Sequence, residues 1–243
     1  AEVDVRPPFP VVEGLYKKPT VVNNVESLAA VAAILKHGSK SYKSIGNGRS
    51  LGTKLISLDG FFNNPGLYEV DLGTSLEFII DEIGGGFNAD IKAIQIGGPL
   101  GGIVPVDKLK SLKLDFEVFA EAGFLLGHAS FVCIPKSFSA VEYAKHLFAF
   151  TAHESCGKCF PCRLGSTRGK EMLGSAIDNN QKFSEELIYD LLETMEVGSL
   201  CALGGGLPLA IRNLLEHCGD EFKPLMELSL IHISEPTRRY AIS

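Results

Sequence analysis

Hydrophobic and polar positions change their period near the middle of the chain. In the first half, short alternating or apolar segments are separated by glycine, proline and asparagine, the punctuation of strands and turns. KLISL (Lys54–Leu58) predicts a strand and FNNPG (Phe62–Gly66) its turn. LYEVDL (Leu67–Leu72) alternates, with Tyr68, Val70 and Leu72 on one face and Glu69 and Asp71 on the other. TSLE (Thr74–Glu77) reads as a capping box opening a helix whose stripe is Leu76, Ile79, Ile80 and Ile83, stopped by Gly84. KAIQIGG (Lys92–Gly98) is a further strand, running into the glycine-rich turn GGPLGG (Gly97–Gly102). Ahead of all this, RPPFPVVEGLYKKPT (Arg6–Thr20) is proline-rich and extended. A helix then starts, with Asn23 as N-cap, Glu26 three residues on as in a capping box, and Gly38 as its close. Its buried stripe is expected to be Leu28, Val31, Ala32 and Leu35.

From about Ser137 the period is helical. SFSAVEYAKHLFAFTAHES carries Val141, Ala144, Leu147 and Phe148 at helical spacing, and SEELIYDLLETME (Ser184–Glu196) carries Leu187, Ile188, Leu191, Leu192 and Met195. Pro208 suits the first turn of a last helix with Leu209, Leu214 and Leu215 on its apolar side. The expected fold class is therefore α+β. A small ubiquitin-like β-grasp module, built from strand, hairpin, strand, helix and strand, is followed by a compact helical bundle.

Hydrophobic content of 45% and charged content of 21% belong to an ordinary globular protein, and 243 residues leave room for one or two domains. The net charge of −6 argues against nucleic acid or an anionic membrane as the main partner. No apolar run reaches the roughly 18–20 residues of a membrane helix, so no direct membrane insertion is expected. The opening AEVDVRPPFP has neither the basic region nor the apolar core of a signal peptide, and it lacks an initiator Met, as a piece of a larger protein would. At the other end, LSLIHISEPTR (Leu228–Arg238) breaks from the pattern before it. It matches the translation of a transposase-type sequencing adapter. Residues 228–243 are therefore read as an adapter-derived artefact rather than a polar tail, and are given no function.

Six cysteines are too few for a disulfide scaffold and unevenly placed, which favours a cytoplasmic chain with a metal-type cluster. ESCGKCFPCRLGSTRG (Glu154–Gly169) holds Cys156, Cys159 and Cys162 in a C-x2-C-x2-C run, and GSLCALGGG supplies a fourth candidate, Cys201. Three thiolates at this spacing curl around one side of a cubane and a distant fourth closes it, the ligand set of a [4Fe–4S] cluster. Structural zinc, which prefers two separate C-x2-C knuckles, and redox-active thiols are the alternatives. Glycines beside Cys201 let backbone N–H groups approach the sulfurs. Cys133 and Cys218 sit in apolar surroundings and read as buried thiols. Arg163, Arg168 and Lys170 either offset the charge of four thiolates or are solvated charges on a helix. GGPLGG reads as a turn rather than a phosphate cradle, because it is not flanked in strand–G-x-G-x-x-G–helix order.

Together, ESCGKCFPCRLGSTRG, GSLCALGGG and the upstream KPTVVNNVESL strongly resemble the family of NADH-binding flavoprotein subunits. That family includes the flavin subunit of respiratory complex I and the diaphorase subunits of NAD(P)-linked hydrogenases and formate dehydrogenases. The resemblance covers nearly all of Ala1–Glu227. It implies that Cys156, Cys159, Cys162 and Cys201 ligate a [4Fe–4S] cluster taking electrons from FMN. It also implies that the segment carrying Thr20, Asn23 and Asn24 lies against FMN. A helix N-terminus suits a phosphate or flavin oxygens, although Asn23 could serve as N-cap alone. Domains follow by resemblance: residues 1–50 as the remnant of an FMN- and NADH-binding domain, 51–125 as an SLBB-like β-grasp domain, and 126–227 as the helical [4Fe–4S]-binding domain. NAD(P)H would be met by a glycine-rich domain expected before Ala1. Partners would be a [2Fe–2S] thioredoxin-like subunit and a further iron–sulfur or catalytic subunit. QIGGPLGG, CRLGSTRG and GSLCALGGGLPL are most similar to soluble formate dehydrogenase or hydrogenase diaphorases, with the complex I flavin subunit as the alternative. FVCIP (Phe131–Pro135) departs from the family by lacking an acidic residue after its strand. The implied activity is electron relay between FMN and the cluster, with no side-chain acid or base identified. A metal-stabilised, non-catalytic scaffold is the alternative from another class. The chain by itself is expected to hold the cluster, keep part of the flavin wall and fail as an NADH oxidase.

Overall fold

The structure, a computed structural model, describes residues 7–227. It is mixed α+β and divides into two compact units that part between Ser137 and Phe138. The expected tail at 228–243 lies outside the described residues.

The first unit is built on one five-stranded sheet. Its strands are β1 (Thr53–Leu58), β2 (Gly66–Asp71), β3 (Ile91–Ile96), β4 (Gly102–Pro105) and β5 (Ser130–Pro135). The order across the sheet is β2-β1-β5-β3-β4. β1 pairs antiparallel with β2 from Thr53↔Asp71 to Leu58↔Gly66, and parallel with β5 at Ser57↔Ser130 and Leu58↔Phe131. β5 therefore runs through the middle of the sheet and belongs with residues 51–125, so the unit ends at Ser137 rather than at the boundary expected near 125. Alternation on β1 and β2 puts Ile56, Leu58 and Val70 inward, while every residue of β4 is buried. Phe62, Leu76, Ile79, Phe119 and Phe131 complete this core.

Several local expectations for this unit are corrected. The helix after β2 is capped by Ser75, not Thr74: Ser75 Oγ accepts from Phe78 N at 3.2 Å. After Leu76–Phe78 the backbone widens into a π-helical turn over Ile79–Ile83, closed by Gly84 N donating to Ile79 O at 2.8 Å. The turn from β3 to β4 is as expected, held by Gly101 N to Gly98 O at 2.8 Å and by Gln95 Nε2 to Pro99 O at 3.0 Å. Helix α1 (Val25–His37) is capped by Asn24, whose side chain accepts from Glu26 N at 2.8 Å, leaving Asn23 just outside. Its expected buried stripe is not buried: Leu28, Val31 and Leu35 are 55%, 45% and 82% exposed. What ties α1 to the sheet is polar. The Glu26 carboxylate accepts from Lys54 Nζ and from Leu55 N, the latter at 2.8 Å, instead of closing a capping box.

The second unit carries helices α2 (Ala140–Glu154), α3 (Phe160–Asn179), α4 (Glu185–Gly198) and α5 (Ala202–His217). Ser139 and Ser184 cap α2 and α4 through Glu142 N and Leu187 N. Their apolar faces meet in a core of Val141, Leu147, Phe148, Leu173, Ile188, Leu192, Met195, Ile211 and Leu214. Gly169 lets α2 close onto α3, since a Cβ there would lie 2.3 Å from the Phe148 ring. A short parallel pair, Phe183–Ser184 with Met226–Glu227, ties the end of the unit to the start of α4. Pro208 is not in the first turn of α5 but inside it, because the helix begins directly after Cys201. Having no N–H, Pro208 leaves the Gly204 carbonyl without its usual partner. Among the described residues, no helix is long and apolar enough to cross a membrane.

Candidate iron–sulfur site

Local structure at the two cysteine segments follows from how α3 and α5 begin. The loop after α2 turns at Gly157, which adopts φ +78°, and Pro161 sits in the first turn of α3, where its fixed φ and missing N–H cost nothing. Cys159 is the N-cap of α3, and Cys201 is the N-cap of α5. Neither helix has a side-chain cap, so the free N–H groups and the positive ends of both helix dipoles face the thiols. Cys162, one turn into α3, is buried, Cys159 is half-buried, and Cys156 and Cys201 are exposed.

The sulfurs share one electrostatic neighbourhood. Burial pushes the Cys162 thiol up, Ser155 eases it, and the like charges of Cys159, Cys201 and Cys156 push it further up. Cys159 is held below the usual thiol range, chiefly by the backbone N–H of Leu200 and less by that of Cys162. Leu200 belongs to the segment that brings in Cys201, so the two motifs meet at the Cys159 sulfur. The Cys162 thiol donates to Ser155 Oγ at 3.5 Å, and the same oxygen accepts Gly157 N at 3.2 Å. Gly204, in the first turn of α5, lies flat against α3: a Cβ there would be 2.6 Å from Cys162 Cβ, 3.0 Å from Cys162 Sγ and 2.5 Å from Ser199 Oγ. Ser199 Oγ is buried without a hydrogen-bond partner, an orphaned polar atom beside the thiols.

This donor set fits an iron–sulfur cubane. It is all sulfur, and two of its members, Cys159 and Cys201, cap helix N-termini whose dipoles offset negative charge. No three His, Cys, Asp or Glu side chains among the described residues converge to hold a single metal ion. Arg163 holds the loop, donating to Gly157 O at 3.2 Å with its guanidinium 5.0 Å from the Phe160 ring centroid. Arg168, 4.0 Å from Glu171, and Lys170 are exposed further along α3.

The expected flavin residues lie in the other unit. Thr20 accepts Leu15 N and donates to Lys18 O at 2.8 and 2.9 Å, which closes a local turn. Asn23 is exposed and Asn24 caps α1. Cys133 is buried in β5, where its N–H donates to Asp59, and Cys218 is the C-cap of α5. Ser155, Ser199 and Leu200 went unpredicted. Their only sequence signal was adjacency to the cysteines, in ESC and SLC.

Residues 142–224 match the family described as NADH-ubiquinone oxidoreductase-F iron-sulfur binding region. Among similar proteins, the F 2 subunit of NADH-quinone oxidoreductase from Rhizobium meliloti (strain 1021) is 38% identical over 225 residues, 91% of this chain and 53% of that protein. The NADP-reducing hydrogenase subunit HndC of Solidesulfovibrio fructosivorans is 36% identical over 221 residues, 90% of this chain and 45% of that protein. The crystal structure of an NAD+-reducing [NiFe]-hydrogenase in the H2-reduced state superposes with a TM-score of 0.79 at 31% identity, covering 92% of this chain and 38% of that one. The chain spans about half the length of the relatives it matches.

Proposed function

We propose that this chain, similar along nine-tenths of its length to the NADH-quinone oxidoreductase F 2 subunit and to HndC and matching an iron–sulfur binding region at residues 142–224, relays electrons between FMN and a [4Fe–4S] cluster held by Cys156, Cys159, Cys162 and Cys201. The observation that carries this reading is the meeting of two thiol segments at the N-termini of α3 and α5, with Gly204 of the second packed against Cys162 of the first. When bound, flavin converts between hydride and single-electron chemistry, and the cluster takes up single electrons. The chain's own part is to fix the thiols, bury one corner at Cys162 and leave Cys156 and Cys201 at the surface, open to electron exchange.

The segment with Thr20, Asn23 and Asn24 forms part of the flavin wall, presenting the N-terminus of α1 to anionic or carbonyl oxygens. The sheet order β2-β1-β5-β3-β4, with parallel central strands, supports the SLBB-like β-grasp reading, and the four helices support the cluster-domain reading. NAD(P)H, a [2Fe–2S] thioredoxin-like subunit and a further iron–sulfur or catalytic subunit complete the proposed cytoplasmic assembly. Likeness to HndC and to the [NiFe]-hydrogenase supports a hydrogenase-type diaphorase. A formate dehydrogenase diaphorase rests on motif resemblance. The similarity to the NADH-quinone oxidoreductase F 2 subunit supports the second reading, a complex I flavin subunit.

Iron and acid-labile sulfide, measured after reconstitution without oxygen, test this proposal. About four of each per chain are expected, with a dithionite-reducible EPR signal that Cys201→Ser disturbs. Stoichiometric zinc with no stable cluster would instead leave a metal-stabilised scaffold.

A further inference from the structure

Ser199, Leu200 and Cys201 are consecutive, and each brings a different group to the site: a hydroxyl, a backbone N–H and a thiol. The Leu200 N–H acts on the Cys159 thiol, helping to hold it below the usual range. Ser199 closes α4, its own N–H donating to Met195 O at 3.2 Å. Its Oγ is buried with no partner. A hydroxyl rotates to suit any acceptor within reach, so an unpaired buried one points to an acceptor that arrives with a bound group. Cys162 Sγ is the neighbouring sulfur, since it and Ser199 Oγ both lie within 3.0 Å of one point beside Gly204. Ser155 Oγ stands 3.5 Å from the same sulfur. Gly157 N–H already occupies an acceptor position of this hydroxyl, leaving its hydrogen for donation.

We propose that the Ser155 and Ser199 hydroxyls are hydrogen-bond donors to the buried Cys162 corner of the cluster and hold its reduction potential up. A metal-bound Cys162 has no proton to give, so the direction of the Ser155 contact reverses and the hydroxyl donates to sulfur. Ser199 finds in the same corner, at the thiolate or the sulfide beside it, the acceptor it otherwise lacks. Reduction adds negative charge, and donors to sulfur favour the more negative state, which raises the potential. Both serines act through the cluster and its ligand, so they are positioning residues.

The inference rests on the cluster reading above, and the experiment separates the two. The chain and its Ser199→Ala, Ser155→Ala and Ser199→Thr variants are reconstituted with iron and sulfide, assayed for iron, and titrated redox-potentiometrically by EPR. Each alanine variant is expected to retain about four irons while its potential falls. At a fixed potential the ratio of reduced to oxidised cluster drops roughly tenfold, or ~59 mV for one electron. Ser199→Thr, which keeps the hydroxyl, stays near the unsubstituted potential. Full iron content with unchanged potential in both alanine variants overturns the inference. Should Ser199→Ala lose the cluster, Ser199→Thr decides: full loading at the original potential supports a donor, and loss there too assigns Ser199 to packing. An unsubstituted chain that takes up no iron overturns the cluster reading itself.

Discussion

Gly204 sits where the first turn of α5 meets Cys162, and every other residue type puts a carbon into that contact. A Cβ 2.6 Å from Cys162 Cβ and 2.5 Å from Ser199 Oγ has nowhere to go without moving Cys162, a proposed cluster ligand. Gly204→Ala is therefore expected to cost about 1–3 kcal/mol through overpacking. Bound iron should also fall below that of the unsubstituted chain; denaturant unfolding and iron assay check the two effects. Cys156, Cys159 and Cys162 stand out in the sequence because C-x2-C-x2-C is a local code, whereas Cys201 joins the proposed set only through the start of α5. Ser199 does not stand out in this way, since what marks it is an oxygen left buried and unpaired, and spacing carries no such information. The glycines after Cys201 were expected to admit N–H groups to sulfur. In the structure Leu200 supplies such an N–H, and Gly204 serves a different need, the close crossing of two helices.

Among the elements, α1 departs furthest from its sequence pattern. Its apolar positions keep a helical period, yet none of its residues is buried, and the helix is held at its start by Asn24 and Glu26. Removing the cap in Asn24→Ala should destabilise this helix by ~1 kcal/mol, read as faster amide exchange in Val25–His37 with the sheet unaffected. Glu26 makes the same link pH-dependent. Burial raises its carboxyl, but the Leu55 N–H and the Lys54 ammonium outweigh burial and hold its pKa below the ordinary carboxylate value. A lowered pKa contributes stability above the unfolded-state value, and that contribution is lost as pH falls through the folded value. Acidification should therefore speed exchange in α1 before the sheet opens, and Glu26→Gln should show the fast exchange already at neutral pH. Periodicity gave α2 and α4 nearly to the residue, since their caps Ser139 and Ser184 are local. It missed β5 as the central strand, because a short apolar run ending in proline gains its identity only from partners distant in sequence.

For the whole molecule, α+β is the class that the change of period implied, and the position of β5 moves the division between units to Ser137. All four thiols fall in the second unit, so cluster binding should slow amide exchange across residues 138–227, by mass action on that unit, and leave the β1–β5 amides unchanged. Exchange mass spectrometry with and without bound iron and sulfide reads both halves at once. The N-cap placement of Cys159 and Cys201 has a further consequence for how the protein is made. A metal group bonded to both helix starts is a cross-link, closing a loop that contains all of α3 and α4. On the scale of disulfide loops of several tens of residues, such a staple removes about 4 kcal/mol of chain entropy from the unfolded state. It is also a staple with a schedule. The ribosome delivers Cys156, Cys159 and Cys162 first and reaches Cys201 some seconds later, at roughly 5–20 residues per second. Until then the nascent chain offers three thiols and an open corner, and the machinery that loads iron must wait for α4 or guard the unfinished site.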